Sequence, residues 1–204
     1  MITSRIRLRF TAAALTIGAL LATASTTATA TTTTGAAAGA PSASSECPAP
    51  QPLYAAADSR VDLGALSPEP SYRVNCAPLY RADGRAPEVV FDQGFRPKDV
   101  VHGQYDLAAY VDRNQPSPFV STSYDHDLYK QWRSAYNYYI DAPGGIDVNE
   151  TIGFTHRWAD QVEVAFPGGV ARTFIVKACP IDKPTKTEIL AKCVDNPNYT
   201  PWRD

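Results

Sequence analysis

The chain is poor in the features that announce the commoner chemistries. Among its 204 residues there is one Met and there are four Cys, with no CxxC pair and no neighbouring His pair of zinc-site spacing. No GxSxG elbow, GxxxxGK phosphate loop or GxGxxG turn occurs, which removes the usual serine-hydrolase, P-loop and Rossmann readings. A basic surplus is missing too. Lys and Arg number 19 against 21 Asp and Glu, for a formal net charge of -2, so a broad clamp on the phosphates of duplex nucleic acid is disfavoured. A protein that reads one exposed base is untouched by that argument. His102, His126 and His156 are scattered and read as surface or satisfied polar residues.

What is present begins with a leader. Arg5, Arg7 and Arg9 precede an apolar run from Ala12 to Ala22, and Ala28-Thr29-Ala30 follows. Residues 1–30 therefore read as a secretory signal peptide, too short in its apolar part for a permanent anchor. Its removal leaves 16 basic against 21 acidic side chains, a formal charge of -5. Residues 31–45 are Thr, Ala, Gly, Ser and Pro only, a composition that cannot offset its ordering entropy and reads as a flexible leader. Residues 46–204 are then expected to form one secreted, extracellular domain, a monomer with no membrane partner.

Export makes the cysteines a disulfide question. Of three possible pairings, Cys47–Cys76 with Cys179–Cys193 is favoured, because each bridge closes a local loop and leaves the central region free. Asn149-Glu150-Thr151 and Asn198-Tyr199-Thr200 fit the glycosylation sequon, a match of little weight without a known host.

The pattern predicts strands at Leu79–Arg81, Phe119–Ser123, Tyr136–Ile140, Gln161–Phe166, Val170–Ala178 and Ile189–Val194. Helices are expected from Ala86 to Gly94, from Gln104 to Val111, and from Asp125 to Arg133, the last entered through Ser123. The class is α+β. In the Gln161–Phe166 segment, period 2 places Val162, Val164 and Phe166 on one face and Gln161 and Glu163 on the other. The bland reading of such a polar face is a solvated edge.

An ordered series remains: Leu79-Tyr80-Arg81-Ala82-Asp83, Phe91-Asp92-Gln93-Gly94-Phe95, Phe119-Val120-Ser121-Thr122-Ser123 and Gln161-Val162-Glu163. Trp158 stands just before the last triplet and Phe166-Pro167-Gly168-Gly169 just after it. The series resembles the ADP-ribosyltransferase toxins of the Arg, Ser-Thr-Ser, Glu type, whose founding relatives are the catalytic subunits of pertussis and cholera toxins. Within them it is most similar to the pierisin-like branch, which includes the small secreted guanine-specific enzymes Scabin and ScARP. The resemblance spans Leu79 to Ala178. It implies an ADP-ribosyltransferase fold in which two packed, mostly antiparallel sheets and a few helices form a cleft for NAD, the co-substrate, with no metal.

The resemblance also implies roles. Glu163 is the catalytic carboxylate, oriented chiefly by Ser121. Arg81 binds the NAD phosphates, the backbone beside Ala82 holds the nicotinamide amide, and Thr122 and Ser123 complete the motif. Asn114 in a loop and Trp132 late in a helix are carried over as NAD contacts. Gln161 and Trp158 select the acceptor, implied to be the exocyclic N2 amine of guanine in a nucleoside, nucleotide or DNA.

Elementary chemistry supplies an independent reason for these residue types. Breaking the nicotinamide–ribose bond develops positive charge on the ribose, as in glycoside hydrolysis, and a fixed carboxylate favours that state over the ground state. A guanidinium suits phosphate oxygens. A carboxamide donates and accepts at once, so it can match a base edge, and an indole offers a stacking surface. Bland readings stand beside these: Arg81 as a partly buried partner of Asp83, and Trp132 as a core aromatic. Three functions stay open on the residues, namely guanine transfer, a protein-directed toxin or NAD glycohydrolase, and a non-catalytic secreted binding domain.

Overall fold

The computed structural model describes Cys47 and residues 51–203; the expected signal peptide and leader lie outside the described residues. Strands β1 (Leu79–Asp83), β2 (Phe119–Ser123), β3 (Tyr136–Ile140), β4 (Ile146–Asp147), β5 (Glu163–Pro167), β6 (Ile175–Asp182), β7 (Thr187–Glu188) and β8 (Val194–Asp195) pair antiparallel throughout. Their order is β4-β5-β2-β1-β3-β6-β7, with β8 also on β6. Helices α1 (Pro87–Gln93), α2 (Leu107–Arg113) and α3 (Val148–Ile152) are short and lie in the connections, so the class is α+β.

A seam divides the sheet. β2 pairs with β5 from Phe119↔Pro167 to Ser123↔Glu163, and β1 with β3 from Leu79↔Ile140 to Asp83↔Tyr136, but β1 and β2 share only Tyr80↔Ser123. The halves β4-β5-β2 and β1-β3-β6 still bury side chains together. Val120, Val164 and Phe166 from one half meet Leu79, Tyr138, Ile140, Ile175 and Ala178 from the other, with Val90, Phe91 and Phe95 of the α1 region. A second apolar cluster joins Leu107, Tyr110 and Val111, the i, i+3, i+4 stripe of α2, to Phe119, Ile146, Val148 and Ala165.

The predicted strands at Phe119–Ser123 and Tyr136–Ile140 have the observed bounds; β-branched and aromatic residues suit a pleated, packed surface. α2 begins three residues later than expected because Asp106 caps it, its side chain accepting from Ala109 N at 2.9 Å. The helix expected over Asp125–Arg133 is a 3-10 segment, His126–Gln131, capped by Asp125 rather than Ser123. The strand expected from Val170 starts at Ile175, after a 3-10 turn at Arg172–Phe174. Ile189–Val194 is mostly another such turn, with β8 beginning only at Val194.

The largest departure is at Gln161–Phe166. Gln161 closes a 3-10 turn (Ala159–Gln161) and Val162 adopts φ 41°, ψ 52°, so the strand begins only at Glu163. Left-handed backbone is a genuine outlier for a β-branched residue. The alternation argument therefore fails at its first two residues. It fails for a second reason: β5 lies between β4 and β2, with Val164 and Phe166 in one core cluster and Ala165 in the other, so no face of it meets bulk water.

Two further constraints anchor the site. Gly168 and Gly169 follow β5 with φ 78° and 79°, and a Cβ on Gly169 would strike the Phe95 carbonyl. Only glycine allows this turn, which brings Phe95 and Val170 into mutual backbone hydrogen bonds of 2.8 and 2.9 Å. The cysteines are joined as Cys47–Cys76 and Cys179–Cys193.

Candidate active site

Glu163 opens β5 opposite Ser123 on β2, so Ser121 and Ser123, two residues apart, share its face of the sheet. Ser121 Oγ donates to Glu163 Oε1 at 2.5 Å. The same Oγ lies 2.6 Å from the Tyr110 hydroxyl. Since the one Ser121 proton is committed to the carboxylate, Tyr110 must be the donor in that contact. Burial pushes Tyr110 up to about 12, with the Glu163 charge adding to the effect, so its phenol keeps the proton it donates.

Glu163 is itself 9% exposed. Burial raises its pKa above the ordinary value, while the Ser121 hydrogen bond and the Arg81 charge act to lower it. Ser123 plays a different part. Its Oγ, buried, donates to the Gln161 carbonyl at 2.7 Å and accepts from Asp125 N at 2.8 Å. It pins the backbone two residues before Glu163, which places Gln161 beside the carboxylate without help from strand alternation. Thr122 points its hydroxyl to the Val164 carbonyl at 2.8 Å and reinforces the β2–β5 ladder.

Arg81 on β1 crosses the seam: Nη1 donates to the Ser121 carbonyl at 2.6 Å, and Nε meets Asp83 Oδ2 at 3.3 Å. Asp83 also takes two side-chain hydrogen bonds from Arg85, at 2.9 and 2.8 Å. Although burial opposes it, the Arg85 hydrogen bonds and the Arg81 charge hold Asp83 at about 2. The Asp83 pairing expected as the bland reading of Arg81 is thus real. It coexists with a place in the cavity wall, because Asp83 fixes the guanidinium and Nη2 makes no hydrogen bond among the described residues.

One cavity of about 760 Å³ gathers these groups. Arg81, Ala82, Tyr110, Asn114, Ser121, Thr122, Trp132, Trp158, Gln161 and Glu163 all line it, together with Arg85, Arg96 and Lys98. Ser123 does not, and acts from behind the wall. Asn114 is the left-handed C-cap of α2 (φ 49°) and is exposed. Trp132 ends the 3-10 segment and is 48% exposed, so it is no core aromatic. Trp158 is half-buried against the second apolar cluster, with the Arg157 guanidinium 4.2 Å from its ring centroid.

Comparison with known proteins agrees with this architecture. The family profile described as Scabin-like matches residues 79–199. The chain belongs to the Scabin-like family. Over 149 residues it is 64% identical to a guanine-specific ADP-ribosyl transferase of Streptomyces coelicolor, covering 72% of this chain and 73% of that protein. Pierisin of Pieris brassicae is 38% identical over 113 residues, 49% of this chain but only 13% of pierisin. Among solved structures, Scabin toxin from Streptomyces scabies in complex with NADH superposes with TM-score 0.74 at 62% identity, covering 75% of this chain and 93% of that one. A guanine-specific ADP-ribosyltransferase superposes with TM-score 0.76 at 61% identity, over 77% and 99% of the two chains.

For this Scabin-like chain, sequence reasoning missed Tyr110. The signal was available: Leu107, Tyr110 and Val111 form the buried stripe of α2, and a phenol in such a stripe needs a partner for its hydroxyl. Asp83 was noticed only as an alternative partner for Arg81, and Asn137, buried on the cavity wall, gave no signal at all.

Proposed function

We propose that this protein moves ADP-ribose from NAD to the exocyclic N2 amine of guanine, in a nucleoside, nucleotide or DNA, and releases nicotinamide. The observation that carries the reading is the single cavity in which Arg81, the Ser121-held Glu163 carboxylate, Gln161 and Trp158 meet. Its 64% identity to a guanine-specific enzyme supports the same acceptor. NAD fits the residues present. A cavity of about 760 Å³ is of dinucleotide scale, and Arg81, Arg85, Arg96 and Lys98 offer cations for a pyrophosphate in the same cavity that holds a buried carboxylate.

Each residue then has a task. Arg81 and the cationic rim hold phosphate, and the β1 backbone at Ala82 holds the nicotinamide amide. Asn114 and Trp132 border the NAD site. Glu163 favours positive charge on the ribose as the nicotinamide bond breaks, and it does so from a poorly solvated position where its charge is little screened. Trp158 stacks the acceptor base, and Gln161 matches its edge with one donor and one acceptor. The chain is exported: the N-terminal thirty residues have the pattern of a signal peptide, and two disulfides suit an oxidising compartment.

Incubation of the purified protein with NAD and guanosine, followed by mass analysis, tests the reading. ADP-ribosylguanosine and nicotinamide are expected in equal amounts above the level of NAD hydrolysis. Glu163→Gln removes both reactions. Gln161→Ala lowers transfer far more than hydrolysis, and parental transfer by that variant would remove Gln161 from the acceptor site. Parallel pools of protein and DNA separate a protein-directed enzyme from a guanine-directed one.

A further inference from the structure

Between Ile152, the end of α3, and Glu163, the start of β5, the chain must present Trp158 and Gln161 to the cavity. Ser123 pins the end of that segment at Gln161, and a second buried side chain ties its middle. Asn149, 6% exposed on α3, donates from Nδ2 to the Ala159 carbonyl at 2.9 Å. Its Oδ1 lies 2.8 Å from His156 Nε2. With Nδ2 committed, Oδ1 is the acceptor and His156 carries its proton on Nε2.

The tie has a defined reach. His156 and Ala159 bracket Arg157 and Trp158, and the Ala159 amide donates back to the His156 carbonyl at 3.2 Å. Gln161 N in turn donates to the Trp158 carbonyl at 3.0 Å. A constraint on His156 and Ala159 therefore passes to both acceptor-facing residues. Neither Asn149 nor His156 lines the cavity. Burial also means that Asn149 is not available as a glycan acceptor, so the sequon match at this position marks a structural amide.

We propose that Asn149 and His156 are positioning residues for the acceptor, setting how ADP-ribose divides between guanine and water. The inference rests on the guanine reading above. In transfer, guanine N2 bonds to the ribose carbon as the bond to nicotinamide breaks, and the amine gives up one proton. In hydrolysis, water supplies the oxygen at the same carbon and likewise gives up one proton. Both routes use the same NAD-side groups. Only transfer needs Trp158 and Gln161 held in register, so loss of the tie moves the ratio of the two products.

The test measures nicotinamide release without acceptor and ADP-ribosylguanosine formation over a range of guanosine, for the parent, Asn149→Ala, His156→Ala and His156→Gln. In the two alanine variants, hydrolysis stays close to parental while the ratio of transfer to hydrolysis falls, about fivefold in His156→Ala, which loses one net hydrogen bond, and further in Asn149→Ala, which loses two. His156→Gln, whose carboxamide can donate to Asn149 Oδ1, recovers most of the ratio. An unchanged ratio in both alanine variants overturns the inference, as does a proportional fall of both reactions, which marks a merely structural role. If the parent hydrolyses NAD but makes no ADP-ribosylguanosine, the guanine reading fails and this inference with it.

Discussion

Ser121 on β2 donates a 2.5 Å hydrogen bond to Glu163 on β5, diagonally across the strand pair. Behind it, Tyr110 on α2 donates to the same serine oxygen. A helix residue from the second apolar cluster thereby fixes the rotor of a strand hydroxyl, which in turn fixes the carboxylate.

Loss of either link slows the NAD reaction. Ser121→Ala removes a hydrogen bond to a charged group and lowers the turnover of NAD about 10- to 100-fold. Tyr110→Phe, nearly isosteric, costs about fivefold. The double variant is little worse than Ser121→Ala alone, since Tyr110 acts through the serine; a double-mutant cycle on single-turnover nicotinamide release checks this. Additive effects would sink the relay.

The acid limb of the rate profile reports Glu163. In the proposed role the carboxylate acts ionised, and burial raises its pKa above the ordinary value of 4.5. The rate is therefore expected to fall, as pH drops, at a higher pH than an ordinary Glu would give. Tyr110→Phe weakens donation toward the carboxylate and moves that limb higher still. A limb at or below the ordinary value would contradict the burial argument.

Stability carries the opposite sign. A carboxyl whose folded pKa is raised favours the fold when protonated, below its unfolded pKa, and that contribution is lost as pH rises through the folded pKa. Glu163→Gln is accordingly more stable than the parent at neutral pH, by a few degrees in Tm. The gap closes as pH falls through the carboxylate range. Melting curves across that range, with the variant inactive at every pH, test both halves.

The Cys179–Cys193 bridge is expected to influence the site as well as stability. It closes a 14-residue separation around the β6–β7 hairpin, worth about 3 kcal/mol in the chain-entropy view. Glu188 on that hairpin accepts from Asn137 Nδ2 and from the Tyr139 hydroxyl, both at 2.8 Å, and Asn137 lines the cavity. Paired Ala substitutions should lower Tm and raise KM for NAD. A fall in Tm with unchanged KM would confine the bridge to stability.

Charge sets the expectation for nucleic acid. With a formal net charge of -2, affinity for duplex DNA should be weak over a range of salt. Transfer to guanosine should change little over the same range. Tight duplex binding at physiological salt would overturn the single-base picture.

Elements with local causes were legible in the sequence: β2 and β3 from their β-branched and aromatic runs, α1 from Pro87 and Gly94, the two bridges from short loop closure. The ordered motif series likewise pointed to the right family. The neighbourhood of Gln161 was not legible, because alternation assumes a strand and the left-handed Val162 delays its start by two residues, to Glu163. Asn149 and His156 were out of reach, and the α2 stripe that signals a buried Tyr110 does not say which group its hydroxyl meets. The value of all three lies in contacts 11, 10 and 7 residues away or across elements.

The sequence by itself thus determined the chemistry available: a guanidinium, paired serine hydroxyls, a carboxylate, a carboxamide and an indole, in a family order. Residue type and order carry that information because donors, acceptors and charge belong to the side chain. Only the tertiary structure decided which groups share a proton, which carboxylate is desolvated, and which asparagine ties the segment before β5. Those outcomes depend on burial and on ångström-scale approach between segments distant in the chain, which no local pattern encodes.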